Sequence, residues 1–213
     1  MIRVQSFTFS PISENTYLLM APGGHAAIID PGCYTSEECS ELADFITAHK
    51  LHPELLLQTH CHLDHVFGTK WVAAKYNLKP HMHRNEEQMM EMAPASGMMW
   101  NLPFDGYKGE KIWLEEGQDI ALGNGKLKVL FAPGHAPGHV CFYNEADGYV
   151  IGGDVLFAGS IGRTDLPGGN FEVLIDSIKT QLLTLPDETK VYPGHGPATT
   201  IGRERMHNPF LQR

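Results

Sequence analysis

Apolar residues recur along this 213-residue chain in short runs broken by glycine, proline and asparagine. Runs of this kind predict strands at Ile2–Phe9 and Asn15–Met20, with Pro11 and Ser13 in the turn between them. Ala26–Ile29 is a further strand, closed by the tight turn Asp30-Pro31-Gly32. Ser36–His49 reads as a helix, with Glu37, Glu38 and Glu41 suited to its start and Leu42, Phe45 and Ile46 on one face. Glu54–Thr59 has the composition of a buried strand that runs directly into His60, and Val66–Tyr76 is the next helix. The second half repeats the style, with strands at 118–122, 126–131, 139–143 and 148–152. A helix at Glu172–Thr184, a short strand at Lys190–Tyr192 and a helical turn or two at Ile201–Met206 complete it. This succession predicts two similar layered halves packed sheet to sheet in a single domain over residues 1–213.

Residues 81–104 hold six of the nine methionines (82, 89, 90, 92, 98, 99) with Trp100 and Phe104, and two readings stay open. The segment is either a helix facing the core or an adaptable apolar flap beside a site. A hydrophobic fraction of 42% excludes a disordered chain, and 25 acidic against 16 basic side chains, a net charge of −9, weighs against nucleic acid or an anionic membrane as partner. No apolar run approaches the ~18 residues of a spanning helix, and Met1–Ser10 lacks the pattern of a secretory signal, so a cytoplasmic location is expected. Cys33, Cys39, Cys61 and Cys141 form no C-x-x-C pair and are expected as reduced thiols.

Histidine carries more information. The segment His60-Cys61-His62-Leu63-Asp64-His65 reads H-x-H-x-D-H at a strand-to-helix junction. The sharp turn there lets His60 and His62 aim at one point, and Asp64 and His65 at its neighbour, a donor set suited to two adjacent divalent ions. Four ligands are too few for two ions. Pro133-Gly134-His135, Gly152-Gly153-Asp154 and Pro193-Gly194-His195 supply more, each at a strand end beside glycine. Asp30 suits a carboxylate that orients a ligand histidine from behind, while His81, His83 and His139 are expected to be structural or peripheral.

The set His60, His62, Asp64, His65, His135, Asp154 and His195 resembles that of the metallo-β-lactamase superfamily, and the match runs over essentially the whole chain. The resemblance implies a four-layer αβ/βα sandwich of mixed α/β class with its metal site at one edge. It implies His60, His62 and His135 on one ion, Asp64, His65 and His195 on a second, and Asp154 bridging them. The runs 152–165, 194–202 and Asn208-Pro209-Phe210 look like those of short glyoxalase II-like hydrolases. That branch implies cleavage of a small-molecule thioester, such as S-lactoylglutathione or a related acyl-thiol, by a hydroxide held between two ions. Zinc is the first expectation, with iron or manganese as alternatives, and Asp64 is the expected catalytic proton acceptor. Arg163, nine residues beyond Asp154, stands where such enzymes place a lysine on a glutathione carboxylate, which implies a substrate-binding role. Pro197 stands where they place a tyrosine, and the helical domain that helps grip glutathione in full-length glyoxalase II is not expected here. The alternative within the superfamily is a persulfide dioxygenase-like oxidoreductase with mononuclear iron, which shares an Arg-Thr-Asp run like Arg163-Thr164-Asp165.

Overall fold

A computed structural model describes residues 1–212. Its first sheet runs β1 (Arg3–Phe9), β2 (Glu14–Met20), β3 (His25–Ile29), β4 (His52–Leu57), β5 (Pro80–His83) and β6 (Ile112–Leu114) in spatial order. The pairs β1–β2 and β2–β3 are antiparallel, and β3 to β6 are parallel. The parallel strands need crossovers, supplied by α1 (Ser36–Ala48), α2 (Leu63–Val66) with α3 (Thr69–Tyr76), and α4 (Glu87–Met99). In the six-stranded second sheet β7 (Asp119–Leu122), β8 (Gly125–Phe131), β9 (Val140–Asn144) and β10 (Tyr149–Gly153) are joined as an antiparallel meander. A small ribbon, β11 (Leu156–Phe157) with β12 (Ser160–Ile161), and α5 (Phe171–Ser177) precede β13 (Lys190–Pro193), which pairs parallel to β10. Then β14 (Thr199–Thr200) and α6 (Ile201–His207) close the fold.

Alternation within the strands builds four layers. Leu19, Ala27, Ile29 and Leu57 from the first sheet meet Leu127, Val129, Val140 and Phe142 from the second. The intervening residues Leu18, Ile28 and Leu56 face outward onto Leu42 and Ile46 of α1 and Val72 of α3. On the far side Cys141, Val150 and Val191 pack on Leu174, Ile178 and Ile201. Both faces of each sheet are therefore covered, which is why β2, β9 and β10 are buried at every position. Thr35 and Glu38 cap α1 reciprocally.

Two expectations need correction. The helix expected over 66–76 is two helices broken at Gly68, whose N–H donates to the Pro31 carbonyl at 2.8 Å. A Cβ at Gly68 would collide with Cys33 and the Pro31 carbonyl, so the break lets α3 pack against the turn after β3. The helix expected through Thr184 is α-helical only to Ser177 and widens into a π-helical turn over Ile178–Leu182. The methionine-rich segment divides between its two readings: it contains β5 and α4, with Met82 and Met90 buried in the core and Met92, Met98, Met99 and Trp100 exposed. All four cysteines are free, and among the described residues no helix is long and apolar enough to cross a membrane.

Candidate metal centre

Strand ends deliver the site. The chain leaves β4 into Thr59–His65, β8 into His135, β10 into Asp154 and β13 into His195, all at the same edge of the two sheets. Two trios converge there, His60–His62–His135 and Asp64–His65–His195, the donor atoms of each lying within 4.8 Å of one another. Asp154 stands between them, its Oδ1 3.5 Å from His65 Nε2 and its Oδ2 3.5 Å from His135 Nε2 and 3.6 Å from His195 Nε2. Asp64 Oδ2 is 3.1 Å from His195 Nε2. The approach is tight enough that a Cβ on Gly194 would collide with Asp154 Oδ1 and His65. Gly153, at φ 49°, likewise leaves room for Thr59 and His139.

The groups behind the histidines fix their tautomers. Nδ1–H donates to Asp30 Oδ2 from His65 at 3.0 Å, to the Arg163 carbonyl from His135 at 2.7 Å and to the Ser13 carbonyl from His195 at 3.1 Å. Thr59 Oγ1 donates to Asp30 Oδ2, so it accepts from His60 Nδ1 at 3.0 Å. In the neutral form of each ring this leaves Nε2 as the lone pair aimed inward. His62 instead turns Nδ1 inward, 2.8 Å from His135 Nε2, and the His60 and His135 Nε2 atoms face each other at 3.2 Å. Facing lone pairs repel unless a positive charge lies among them. Among the inward-facing atoms, buried His65 Nε2 and Asp154 Oδ1 have no hydrogen-bond partner. The donor set fits divalent cations.

Electrostatics point the same way. Burial holds His60 well below the usual histidine range, with His65 and His139 adding to the effect, and brings His62 down to about 3. Burial also lowers His135 against the pull of Asp154. These three are neutral and free to ligate. At His65 burial is outweighed by the Asp154 and Asp64 carboxylates, which hold its pKa well above the usual value; the same carboxylates raise His195. Despite burial, His65 keeps both Asp64 and Asp154 ionised. The carboxylates draw positive charge to the place where a cation would supply it.

Asp30 is geometrically close enough to His60 and His65 to form a third possible trio. Its oxygens, however, already accept from Thr59 N at 2.7 Å, Thr59 Oγ1 and His65 Nδ1, so it serves as an orienting group. His139 is structural but not peripheral: its Nε2 accepts the Asp154 N–H at 3.0 Å and its ring stacks on His60. His81 and His83 stand apart on β5, the latter capping the turn into α4. Arg163 lines the cavity in front of the site, with its guanidinium forked onto Asp165 at 2.7 and 2.8 Å rather than free.

Two buried carboxylates escape sequence reasoning. Glu86 accepts from Cys61 N at 2.8 Å and Gly138 N at 2.6 Å, tying the two ligand loops together, and burial raises it to about 7. Glu14 lies 3.9 Å from His65 Nδ1, fully buried and raised by that burial. Neither has a signal in the sequence, because Arg84-Asn85-Glu86-Glu87 reads as a solvated turn and Glu14 as the polar start of a strand.

Residues 10–195 match the metallo-beta-lactamase superfamily. The probable metallo-hydrolase YqgX of Bacillus subtilis (strain 168) is 38% identical over 203 residues, covering 94% of this chain and 93% of its own. The hydroxyacylglutathione hydrolase GloC of Haemophilus influenzae (strain ATCC 51907 / DSM 11121 / KW20 / Rd) is 35% identical over 218 residues, covering 99% and 98%. Among solved structures, TTHA1623 in a di-iron-bound form superposes with a TM-score of 0.88 at 39% identity, covering 97% of this chain and all of that one. BLEG-1 B3 metallo-beta-lactamase superposes at 0.91 with 34% identity, covering 99% and 100%.

Proposed function

The chain belongs to the metallo-β-lactamase superfamily, and from that premise we propose that it is a dinuclear metal-dependent hydrolase cleaving small-molecule thioesters. The observation that carries this reading is the paired convergence of His60–His62–His135 and Asp64–His65–His195 on either side of Asp154, with buried donor atoms that nothing in the protein satisfies. In this reading each trio would hold one divalent ion, with Asp154 standing between them. Such ions lower the pKa of water to roughly 7 and polarise the carbonyl oxygen.

The chain's own groups do the rest. Asp64, kept ionised and facing the cavity beside His195, accepts the proton of the attacking water. Asp30 and the Ser13 and Arg163 carbonyls hold His65, His195 and His135 in the one tautomer that can ligate. Attack on the thioester carbonyl expels a thiolate, whose conjugate acid has a pKa near ~8.5, so the leaving group needs no general acid. That fits a lining whose ionisable groups are five of the seven converging side chains (His62, Asp64, His135, Asp154 and His195), the Cys61 thiol, raised by burial, and the paired Arg163. An amide or β-lactam nitrogen leaves less readily and would need one. The GloC relative supports thioester chemistry, and the di-iron neighbour supports iron beside zinc as the occupant.

The test is a panel of lactoylglutathione, neutral acyl thioesters and a β-lactam, assayed on protein reconstituted with zinc or iron. Cleavage of thioesters with chelator sensitivity supports the reading. Turnover of the β-lactam alone, or oxygen uptake with glutathione persulfide in place of hydrolysis, overturns it.

A further inference from the structure

The cavity in front of the histidine cluster encloses about 420 Å³, within the range of small-molecule sites. Its floor is the converging ligands, and its walls are of a different character. Met89, Met92 and Trp100, on and just after α4, form one wall, and Phe157, Leu166 and Pro167 contribute the other. Met92 and Trp100 are 47% and 56% exposed, large apolar side chains left in contact with solvent where α4 borders the cavity. α4 itself is anchored by Met90 and Ala93, buried in a cluster with Met82 and Cys61, so the apolar wall is attached to the loop bearing His60 and His62.

Charge is scarce in these walls. Apart from the converging ligands, Arg163 is the one charged side chain lining the cavity among the described residues, and its guanidinium is already forked onto Asp165. Ser96 and Ser160 are the remaining polar side chains there. A glutathione moiety brings two carboxylates and an ammonium, each needing a partner wherever it leaves water. An alkyl or aryl group needs only apolar surface, and methionines accommodate such groups without a fixed shape.

Resting on the thioester-hydrolase reading, we propose that the preferred substrate carries an apolar alkyl or aryl group beside the reacting carbonyl, seated between the α4 wall and the 157–167 loop. Glutathione is then a tolerated carrier and not a recognised one.

Two substrate series test this on the metal-loaded enzyme. One runs from acetyl to octanoyl thioesters of N-acetylcysteamine, a neutral thiol; the other holds the acyl group at acetyl and lengthens a simple alkyl thiol. An apolar subsite predicts that kcat/KM rises about threefold per methylene in one series until the cavity is filled, and that series tells whether the acyl or the thiol side occupies it. Met92→Ala and Trp100→Ala should each lose roughly three- to tenfold on hexanoyl and little on acetyl, with Met92→Leu restoring most of the loss. Binding provides a readout separate from turnover: by calorimetry an S-hexyl thioether of N-acetylcysteamine should bind at least about tenfold more tightly than the S-methyl one, and Met92→Ala should narrow the gap.

Flat series in both arms, with thioesters still cleaved, would overturn the apolar subsite and leave the hydrolase reading standing. So would a preference for lactoylglutathione over every neutral thioester. Absence of cleavage of any thioester overturns the hydrolase reading, while equal thioether affinities overturn the subsite whatever the turnover shows.

Discussion

Asp30→Asn isolates the group behind His65. Asp30 is 1% exposed at the end of β3, with φ 48°, a left-handed conformation that asparagine adopts as readily as aspartate, so the backbone need not move. The carboxylate faces three donors: Thr59 N at 2.7 Å, Thr59 Oγ1 at 2.5 Å and His65 Nδ1 at 3.0 Å. An amide has one acceptor and one donor end. If its oxygen keeps His65, its NH2 abuts the Thr59 N–H, leaving a buried donor unsatisfied at about 1–3 kcal/mol. If it flips, His65 Nδ1 must accept and the ring proton moves to Nε2, pointing at Asp154 and blocking that nitrogen as a ligand. Either way, affinity for the ion at the Asp64–His65–His195 trio should fall about 10- to 100-fold, equivalent to about 1.4–2.7 kcal/mol. Competition against a chromophoric zinc chelator measures that constant, and thermal melts of metal-free protein separate it from scaffold damage. An unchanged affinity with a lowered melting temperature would show that Asp30 braces β3 and does not orient a ligand.

Other consequences are independent of that one. Met90→Ala should cost about 2–5 kcal/mol because Met90 is 2% exposed in the core of α4, whereas Met98→Ala, at 69% exposure, should leave denaturant midpoints nearly unchanged. Glu86, raised by burial from 4.5 to about 7, contributes stability that is full below pH 4.5 and lost as pH rises through 7. A shift of that size corresponds to about 3 kcal/mol. Metal-free wild type should therefore lose melting temperature between pH 5 and 8 on this account, and Glu86→Gln should lack that slope. Arg163→Ala should change kcat/KM for lactoylglutathione by less than about threefold, since an exposed ion pair is a weak anchor; a tenfold rise in KM with kcat intact would restore the carboxylate-gripping role.

Five strands of the second sheet, β7 to β10 and β13, are legible in the sequence to within about one residue as short apolar runs beside turn residues, whereas β14, two threonines at the sheet edge, is not. β6 is not legible: three residues pairing parallel to β5 at a sheet edge have too short a pattern to read. The break at Gly68 is equally silent, since its cause is a collision with Cys33 and Pro31, more than thirty residues away. At the site, the side chains that converge announce themselves as histidine and aspartate beside glycine at strand ends. The groups that fix them do not. Ser13 and Arg163 act through main-chain carbonyls, which no side-chain pattern encodes. Glu86 works because folding buries it between the N–H groups of Cys61 and Gly138, loops more than seventy residues apart. Asp30 is the exception, visible as an acidic residue at a strand end.

Metal stoichiometry followed against turnover bears most directly on the dinuclear centre. Metal-free protein is titrated with zinc while bound metal and thioester cleavage are measured on the same samples, for wild type and Asp154→Asn. A centre shared by two trios and bridged by Asp154 predicts saturation at two equivalents in the wild type, with activity following the second. It predicts one equivalent or less and a loss of orders of magnitude in activity for Asp154→Asn. Full activity at one equivalent, or two tightly held ions and most of the activity in Asp154→Asn, would contradict it.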